Sequence, residues 1–249
     1  MPAVPELSSP RPPLRRVGHK GADLLALGNT PASFEAALRA GVDAIEFDVL
    51  RLRDGRVVLA HDPEDADRRE TLSLDEGLDL LAGEAYAGVE LDVDMKVPGY
   101  EREVVEGLRA RALLERSLVS SMFVRSLDLV GELAPGLRRG WSVPRVRRDY
   151  TQARWAIPAY VGARYLRSRL PGQAAAMLAA GRCQAVIAHW MLVTPRLLDA
   201  VHAGGGELWV WTVDERRRIE RLAALGVDAV ITNDPRLFEG LGARIAEPA

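Results

Sequence analysis

Short apolar runs that are typical of β-strands alternate with longer helix-compatible segments along nearly the whole chain. The eight runs cover residues 14–18, 44–49, 89–93, 117–122, 137–143, 185–189, 208–213 and 228–232. This alternation predicts parallel strands joined by helices. Eight such units in 249 residues fit a closed (β/α)8 barrel, which takes roughly 250 residues as one domain, better than a doubly wound sheet. We therefore predict an α/β barrel.

Local signals support the helices and set the domain limits. A capping side chain precedes a proline at Thr30-Pro31, Thr194-Pro195 and Asp234-Pro235, the pattern of a helix start. The first thirteen residues contain five prolines and no apolar signal-peptide core, which predicts a stiff disordered arm over 1–13. We expect residues 14–249 to form a single domain.

The composition limits location and partners. The longest apolar run, 174–180, has seven residues, far short of the roughly 20 needed to span a bilayer. A net charge of -2 gives no basic footprint for nucleic acid, so we expect no nucleic-acid partner. A lone cysteine, Cys183, agrees with a reducing compartment. The expected location is cytoplasmic, and the oligomeric state is left open.

A hairpin interrupts the alternation after the second strand. Two alternating runs meet at Asp54-Gly55, a strong signal for a two-residue turn. In the register that this turn favours, Arg53 pairs with Arg56 and Asp48 faces His61. Side chains two apart share a strand face, so Glu46 would join them at the carboxyl end of the barrel, where barrels of this type place their chemistry.

The third barrel strand carries a row of charged residues. Glu90, Asp92, Asp94 and Lys96 alternate with apolar residues and therefore point to one side. Carboxylates about 4 Å apart repel by about 4 kcal/mol at an effective dielectric constant near 20, and a divalent cation relieves that repulsion.

We predict a metal site of three carboxylate ligands, Glu46, Asp48 and Asp94. Hard oxygen ligands suit Mg²⁺ or Ca²⁺ better than zinc. The competing interpretation is a salt-bridge network of the same carboxylates with Lys96 and nearby arginines.

Two histidines end strands at the same rim as these acids, His19 after the first strand and His61 in the hairpin. An imidazole titrates near neutral pH and can both accept and donate a proton. We expect the pair to act as general base and general acid, with the assignment of the two roles open. His189 also ends a strand, where it serves the substrate pocket or packing.

Six ordered motifs resemble those of the glycerophosphodiester phosphodiesterase family. They are His19-Lys20-Gly21, Gly28-Asn29-Thr30, Glu46 and Asp48 followed by Asp54-Gly55 and His61-Asp62, Asp94 with Lys96 followed by Ser121-Met122, Trp211-Thr212-Val213, and the closing segment GVDAVITNDP at 226–235. The likeness spans the chain from Val17 to Pro235. It implies a TIM barrel and metal-dependent hydrolysis of a glycerophosphodiester to glycerol 3-phosphate and an alcohol.

The resemblance also assigns roles. It implies that His19, His61 and Lys96 are catalytic and that Lys20 and Trp211 bind substrate. Lys20 and Lys96 are the only lysines among 33 basic residues, and both stand in these motifs. The attacking oxygen could come from water or from a neighbouring hydroxyl of the substrate.

This chain departs from the family pattern at several positions. Lys20 replaces an arginine, which exchanges a bidentate fork for a point charge. Gly28 stands in place of a glutamate, and Asp94 replaces a glutamate as third ligand, as in the related sphingomyelinase D branch. Only 32 residues separate His61 from Asp94, so the insertion that many relatives carry there is predicted to be truncated.

Two other functions remain open at this stage. A lysophospholipase D-like or sphingomyelinase D-like enzyme would need an apolar rim at the mouth, which Met122, Phe123, Trp190 and Trp211 could provide. The other is a degenerate barrel that binds phosphodiesters without turnover. The departures from the family pattern at Lys20 and Gly28 leave this interpretation open.

Overall fold

The structure, a computed structural model, describes residues 13–144 and 156–241. Nine strands form within these two ranges. They are β1 Arg15–Gly18, β2 Ala44–Arg51, β3 Val57–Val58, β4 Glu90–Met95, β5 Ser117–Ser121, β6 Arg138–Val143, β7 Ala185–His189, β8 Glu207–Trp211 and β9 Ala229–Thr232. All but β3 are parallel and pair in chain order, and β9 pairs back with β1. The predicted closed eight-stranded α/β barrel is confirmed, with each predicted strand within two residues of its expected bounds. The predicted arm, residues 1–13, lies outside the described residues apart from Pro13.

Eight α-helices connect these strands within the same described ranges. They are α1 Pro31–Arg39, α2 Pro63–Arg68, α3 Leu74–Leu81, α4 Glu101–Ala110, α5 Val124–Leu133, α6 Ala156–Ala179, α7 Pro195–Ala203 and α8 Arg216–Leu225. Thr30 and Thr194 cap α1 and α7 ahead of a proline, as predicted. Asp234 instead caps a single 3-10 turn, Pro235–Phe238. No described helix combines the length and apolar character of a membrane span.

The hairpin forms, but its predicted register is wrong. Leu50 pairs with Val58 and Arg51 with Val57, one residue away from the predicted pairing. The turn holds three residues, because the Leu52 N–H donates to the Arg56 carbonyl at 2.8 Å and Gly55 adopts a left-handed φ of 92°. A type I turn followed by such a glycine forms a bulge, which shifts the register by one. Asp48 and His61 are therefore not cross-strand partners.

The connection from His61 to Asp94 is short. It holds α2, α3 and one 3-10 turn, Glu84–Tyr86, in a stretch that the structure describes throughout. The short connection agrees with the predicted truncation of this insertion, which stays a prediction with respect to the relatives. The barrel mouth on this side is bordered by the hairpin and α2 instead of a larger subdomain.

The barrel interior is layered from an ionic floor to the mouth. At the amino ends of the strands, Arg15 and Arg138 each pair with both Glu90 and Glu207. Apolar side chains fill the middle, including Val17, Leu118, Ile187, Trp209 and Ile231. At Gly140 a Cβ would lie 2.6 Å from Ile187 Cδ1, so this layer has no room for a side chain there. The polar side chains of Glu46, Asp48 and Asp94 lie at the opposite end of the barrel, at its mouth.

Candidate active site

Three carboxylates meet at the carboxyl end of the barrel. Asp48 on β2 and Asp94 on β4 are register partners across the two neighbouring strands, and Glu46 lies two residues before Asp48 on the same face. One oxygen of each side chain lies within 4.8 Å of the others, and all three residues are buried. Glu90 shares the face of Asp94 but is bound to arginines at the barrel floor. The structure thus brings together the three residues that the sequence predicts as ligands.

Lys96 lies against this acidic cluster. Its ammonium forms ion pairs with Asp48 and Asp94, and its side chain is only 16% exposed. Burial disfavours the charged form of Lys96, but attraction to Asp48 and Asp94 outweighs it and holds the lysine pKa well above its usual value. Lys96 is therefore a permanent positive charge.

The carboxylates respond unequally to their burial. Burial and the charge of Asp48 raise the pKa of Glu46 well above its usual value. Burial also disfavours ionisation of Asp48, yet the charges of Lys96, His61 and Lys20 outweigh it and hold the pKa of Asp48 well below its usual range. The cluster carries more negative charge than Lys96 alone can balance when all three acids ionise.

The donor set fits a divalent cation of the hard type. Three carboxylates offer only oxygen ligands, which suit Mg²⁺ and Ca²⁺. Ligand distances of about 2.0 to 2.6 Å allow oxygens around one ion to stand up to about 5 Å apart. The separations of up to 4.8 Å among Glu46, Asp48 and Asp94 agree with that limit.

His19 is held with a defined nitrogen toward the cluster. Asn233 Nδ2 donates to Asp214 at 2.7 Å, which turns Asn233 Oδ1 toward His19 Nδ1 at 2.6 Å. Because that oxygen can only accept, Nδ1 carries a hydrogen and Nε2 keeps its lone pair in the neutral ring. His19 Nε2 lies 3.8 Å from Glu46 Oε2. Burial, followed by the charge of Lys20, lowers the pKa of His19 to about 4, so the ring is neutral at neutral pH.

His61 lies at the open rim, after the hairpin ladder has ended. Its side chain is 51% exposed. Asp62 Oδ2 lies 3.1 Å from His61 Nδ1, and the His61 backbone N–H donates to Asp65 at 3.1 Å. A carboxylate only accepts, so Nδ1 carries the hydrogen here too and Nε2 is the remaining reactive nitrogen.

The two residues predicted to bind substrate, Lys20 after β1 and Trp211 at the end of β8, lie at strand ends that only β9 separates. Burial disfavours the charge on Lys20, but attraction to Asp48 and Asp23 outweighs it and raises the lysine pKa. Trp211 ends β8 beside His189 at the end of β7, with the two ring centroids 5.3 Å apart. The Trp211 Nε1–H donates to the Ile187 carbonyl at 3.0 Å, which fixes the indole.

Three of the residues that could provide an apolar rim, Met122, Phe123 and Trp190, line two different clefts. Met122 and Phe123 line a cleft of about 430 Å³ next to Trp141. Trp190 lines a separate cleft, and the Arg218 guanidinium covers its ring at 3.6 Å from the centroid. Trp190 is therefore covered by a cation–π contact, which agrees with the packing role that was the alternative to a rim.

Three residues that sequence reasoning assigned no role orient the site. Asn29 is buried with a left-handed φ of 59°, and it donates to Asp48 Oδ2 at 2.8 Å while accepting the Asp48 N–H at 3.0 Å. Asp214 and Asn233 orient His19 as described above. All three stand in or beside quoted motifs, which is the only signal that could have found them.

The chain is similar to known phosphodiesterases over most of its length. The sequence profile of the glycerophosphoryl diester phosphodiesterase family matches residues 19–80 and 116–237. A glycerophosphodiester phosphodiesterase of Caldanaerobacter subterraneus subsp. tengcongensis is 27% identical over 262 residues, which cover 90% of this chain and 96% of that protein.

Two solved structures share the barrel. One is a provisionally assigned glycerophosphoryl diester phosphodiesterase of Silicibacter pomeroyi, with a TM-score of 0.74, 23% identity and 95% of each chain covered. The other is a phosphodiesterase of Oleispira antarctica in complex with the product sn-glycerol-3-phosphate, with a TM-score of 0.67, 19% identity, and 94% of this chain and 97% of that one covered. Because the family profile spans most of the barrel, the chain belongs to the glycerophosphoryl diester phosphodiesterase family and is a phosphoric diester hydrolase.

Proposed function

We propose that the protein hydrolyses a glycerophosphodiester to glycerol 3-phosphate and an alcohol, with a divalent cation. The observation that carries the proposal is the buried cluster of Glu46, Asp48 and Asp94 with Lys96 against it and His19 beside it. The product bound to the Oleispira antarctica phosphodiesterase belongs to the same chemical class. The cytoplasmic location stays a prediction from the composition.

The cation would be Mg²⁺ or Ca²⁺, held by Glu46, Asp48 and Asp94. When bound, it neutralises negative charge on the phosphate and on these carboxylates. Lys96 adds a permanent positive charge that favours the more negative transition state. Lys20 adds a second positive charge that holds the phosphate in the ground state and the transition state alike. Phosphoryl transfer needs such positioning and charge neutralisation more than it needs covalent chemistry.

The two histidines divide the proton transfers according to their surroundings. His19 is neutral at neutral pH with the lone pair of Nε2 available, so it takes a proton from the attacking hydroxyl. That hydroxyl belongs to water or to a neighbouring carbon of the substrate. As its oxygen bonds to phosphorus, the bond from phosphorus to the alcohol oxygen breaks. Attack by water gives glycerol 3-phosphate directly, whereas attack by the substrate hydroxyl gives a cyclic phosphate that a water molecule must then open to glycerol 3-phosphate. His61, at the open rim, supplies a proton to the leaving alcohol from Nε2 when its ring carries hydrogens on both nitrogens, and it is left as the neutral ring with its hydrogen on Nδ1 toward Asp62.

The metal ligands give the first prediction. Asp94→Asn is expected to weaken Mg²⁺ or Ca²⁺ binding by about 100-fold, because one of three charged oxygen ligands is lost. Glu90→Gln is the matched control, since Glu90 shares the strand face of Asp94 but is bound at the barrel floor. Calorimetric titration of each purified variant measures the affinity. Equal affinities for wild type and Asp94→Asn would exclude Asp94 as a ligand.

The same preparation tests turnover itself. We expect wild-type protein to hydrolyse glycerophosphocholine or a related diester, to stop when a chelator removes the cation, and to recover when Mg²⁺ or Ca²⁺ is restored. A barrel that only binds phosphodiesters would show affinity for the diester without turnover under every metal condition.

A specific observation favours a second candidate, hydrolysis of lysophospholipids. Leu24, Leu27 and Val97 are 62%, 59% and 36% exposed. All three lie in loops at the barrel mouth, between Lys20 and Asn29 or directly after Lys96. Exposed leucines at the mouth would favour a substrate that carries an acyl chain, because each leucine moved into an apolar phase gains about 1.5 to 3 kcal/mol.

The lipid candidate predicts a selective loss. Leu24→Ser with Leu27→Ser should lower turnover of micellar lysophosphatidylcholine at least about tenfold, since two apolar contacts vanish, and leave glycerophosphocholine turnover unchanged. Leu129→Ser is the control, because Leu129 is an exposed leucine on α5. Equal losses on both substrates, or none on either, would count against lipid docking at this rim.

A further inference from the structure

Hydrogen bonds hold both the backbone N–H and the backbone carbonyl of Lys20. Its backbone N–H donates to Glu46 Oε2 at 2.8 Å, and its carbonyl accepts from Ser33 Oγ at 2.7 Å and from the Asn29 N–H at 3.0 Å. These contacts hold the backbone in a left-handed conformation with φ of 50°. The flexible side chain is held separately, by an ion pair of Nζ with Asp23 Oδ2 at 3.0 Å.

Asp23 is in turn held by the end of the same loop. Its Oδ1 accepts the Gly28 N–H at 2.8 Å while its Oδ2 binds Lys20. A Cβ at position 28 would lie 2.5 Å from Asp23 Oδ1 and 2.8 Å from Lys20 Cβ. Gly28 does not have a left-handed φ, so glycine is needed here for space and not for backbone conformation. Lys20, Asp23 and Gly28 therefore pack against one another as one unit.

We propose that Asp23 is a positioning residue that aims the Lys20 ammonium at the substrate phosphate, and that Gly28 lacks a side chain because the Asp23 carboxylate occupies its space. The inference rests on the proposed function, in which Lys20 contacts the phosphate. It also gives a physical reason for the two departures at the first loop. Asp23 contacts both of these residues, since it forms an ion pair with Lys20 and accepts the Gly28 N–H.

The count of hydrogen-bond donors supports this role. An ammonium has three N–H groups, and Asp23 uses one, which leaves two for phosphate oxygens. Without Asp23, Lys20 would still be attracted by Asp48 and Glu46, which draw it toward the acidic cluster. Asp23 supplies the opposing attraction from outside the cluster and keeps the ammonium at the edge where a phosphate must approach.

The decisive variant is Asp23→Asn. An asparagine keeps a carbonyl oxygen for the Gly28 N–H, but its amide hydrogens cannot accept from Lys20, so the loop cap survives and the ion pair is lost. We expect KM for glycerophosphocholine and the Kd of sn-glycerol 3-phosphate to rise about threefold to tenfold, the coupling typical of contacting residues. The catalytic rate kcat should change less than about twofold, because the lost contact is made in both ground and transition states.

A double-mutant cycle tells positioning from mere loop stability. In a Lys20→Ala background, Asp23→Asn should add nothing to KM or to the Kd of sn-glycerol 3-phosphate, because Asp23 acts through Lys20. Gly28→Ala presses on the same carboxylate and should reproduce the Asp23→Asn values with both charges retained. Asp54→Asn is the control, since Asp54 likewise accepts a backbone N–H and pairs with a cation, Arg56, but at the hairpin tip.

Each outcome has a defined meaning. Wild-type values for Asp23→Asn, or effects of Asp23→Asn and Lys20→Ala that multiply, would overturn the positioning role. Unchanged binding in Lys20→Ala would overturn it together with the phosphate contact of Lys20. If wild type hydrolyses no glycerophosphodiester, the proposed function fails, and the binding cycle with sn-glycerol 3-phosphate still decides whether Asp23 acts through Lys20.

Discussion

Replacing either His19 or His61 with alanine is expected to lower kcat by a factor of about 10² to 10⁴, the usual contribution of a positioned proton donor or acceptor. In both rings Nδ1 is committed to an oxygen, of Asn233 for His19 and of Asp62 for His61, so Nε2 is the nitrogen that can exchange a proton with the substrate. Steady-state kinetics at saturating cation on the best glycerophosphodiester measure the loss, and thermal melts check that the fold is kept.

His202→Ala provides a matched control. His202 Nε2 also bonds a carboxylate, Asp228 at 2.9 Å, but this pair lies at the amino end of β8, where Asp228 also accepts the Leu208 N–H. Its loss should lower the melting temperature and leave kcat near the wild-type value. A His19→Ala or His61→Ala enzyme with near wild-type kcat would reduce that histidine to a structural role.

Much of the fold could be predicted because each barrel strand carries its own signal. On β4 the inward residues Glu90, Asp92 and Asp94 are polar while the outward ones are apolar, since the outer face packs against helices. Polar residues on a strand covered by helices must lie inside the barrel or at its mouth. That alternation alone puts Asp94 on the face where the structure brings it to Asp48.

The hairpin register could not be derived in the same way. Asp54-Gly55 is compatible with a two-residue turn and with a three-residue turn that ends in a bulge at Gly55. The choice depends on where the returning strand is held, and Val58 bridges to Ser73 and leaves the ladder after two pairs. That contact comes from a later segment, so a local pattern does not contain it.

The orientation of the reactive groups also could not be predicted from a local sequence pattern. Asn29 bonds Asp48 across 19 positions, and Asn233 bonds His19 across 214. The first bond depends on the pairing of β1 with β2, and the second on the closure of the barrel, which brings β9 back beside β1. Residue type and strand spacing predict which groups meet at the mouth, whereas the barrel decides which nitrogen or oxygen each one presents.

Lys96→Ala is expected to lower kcat by about 10² to 10³, the cost of removing one preorganised charge from a transition state, with a smaller effect on KM. The high pKa of Lys96 keeps it protonated at any working pH, so it neither donates nor accepts a proton during turnover. Its contribution must then be electrostatic. Such an interaction accelerates the reaction when it strengthens as negative charge builds on the phosphate oxygens.

Lys96→Arg should restore only part of the lost rate. The ammonium of Lys96 fits between Asp48 and Asp94 with its side chain 16% exposed. A guanidinium is larger and planar and spreads its charge over a fork, so it cannot take the same place between two carboxylates. Full recovery of kcat in Lys96→Arg would mean that charge alone matters at this position.

The opposing view is that Lys96 only neutralises the acidic cluster, and it predicts a different pattern. Without Lys96 and without cation, Glu46, Asp48 and Asp94 would repel one another, so the melting temperature of metal-free Lys96→Ala should fall on either view. Saturating Mg²⁺ or Ca²⁺ replaces the missing positive charge and should restore that temperature. If kcat recovers along with it, Lys96 serves stability and metal affinity alone. We expect the temperature to recover and kcat to stay low, because the cation balances the carboxylates while the charge that Lys96 directs at the phosphate is still missing.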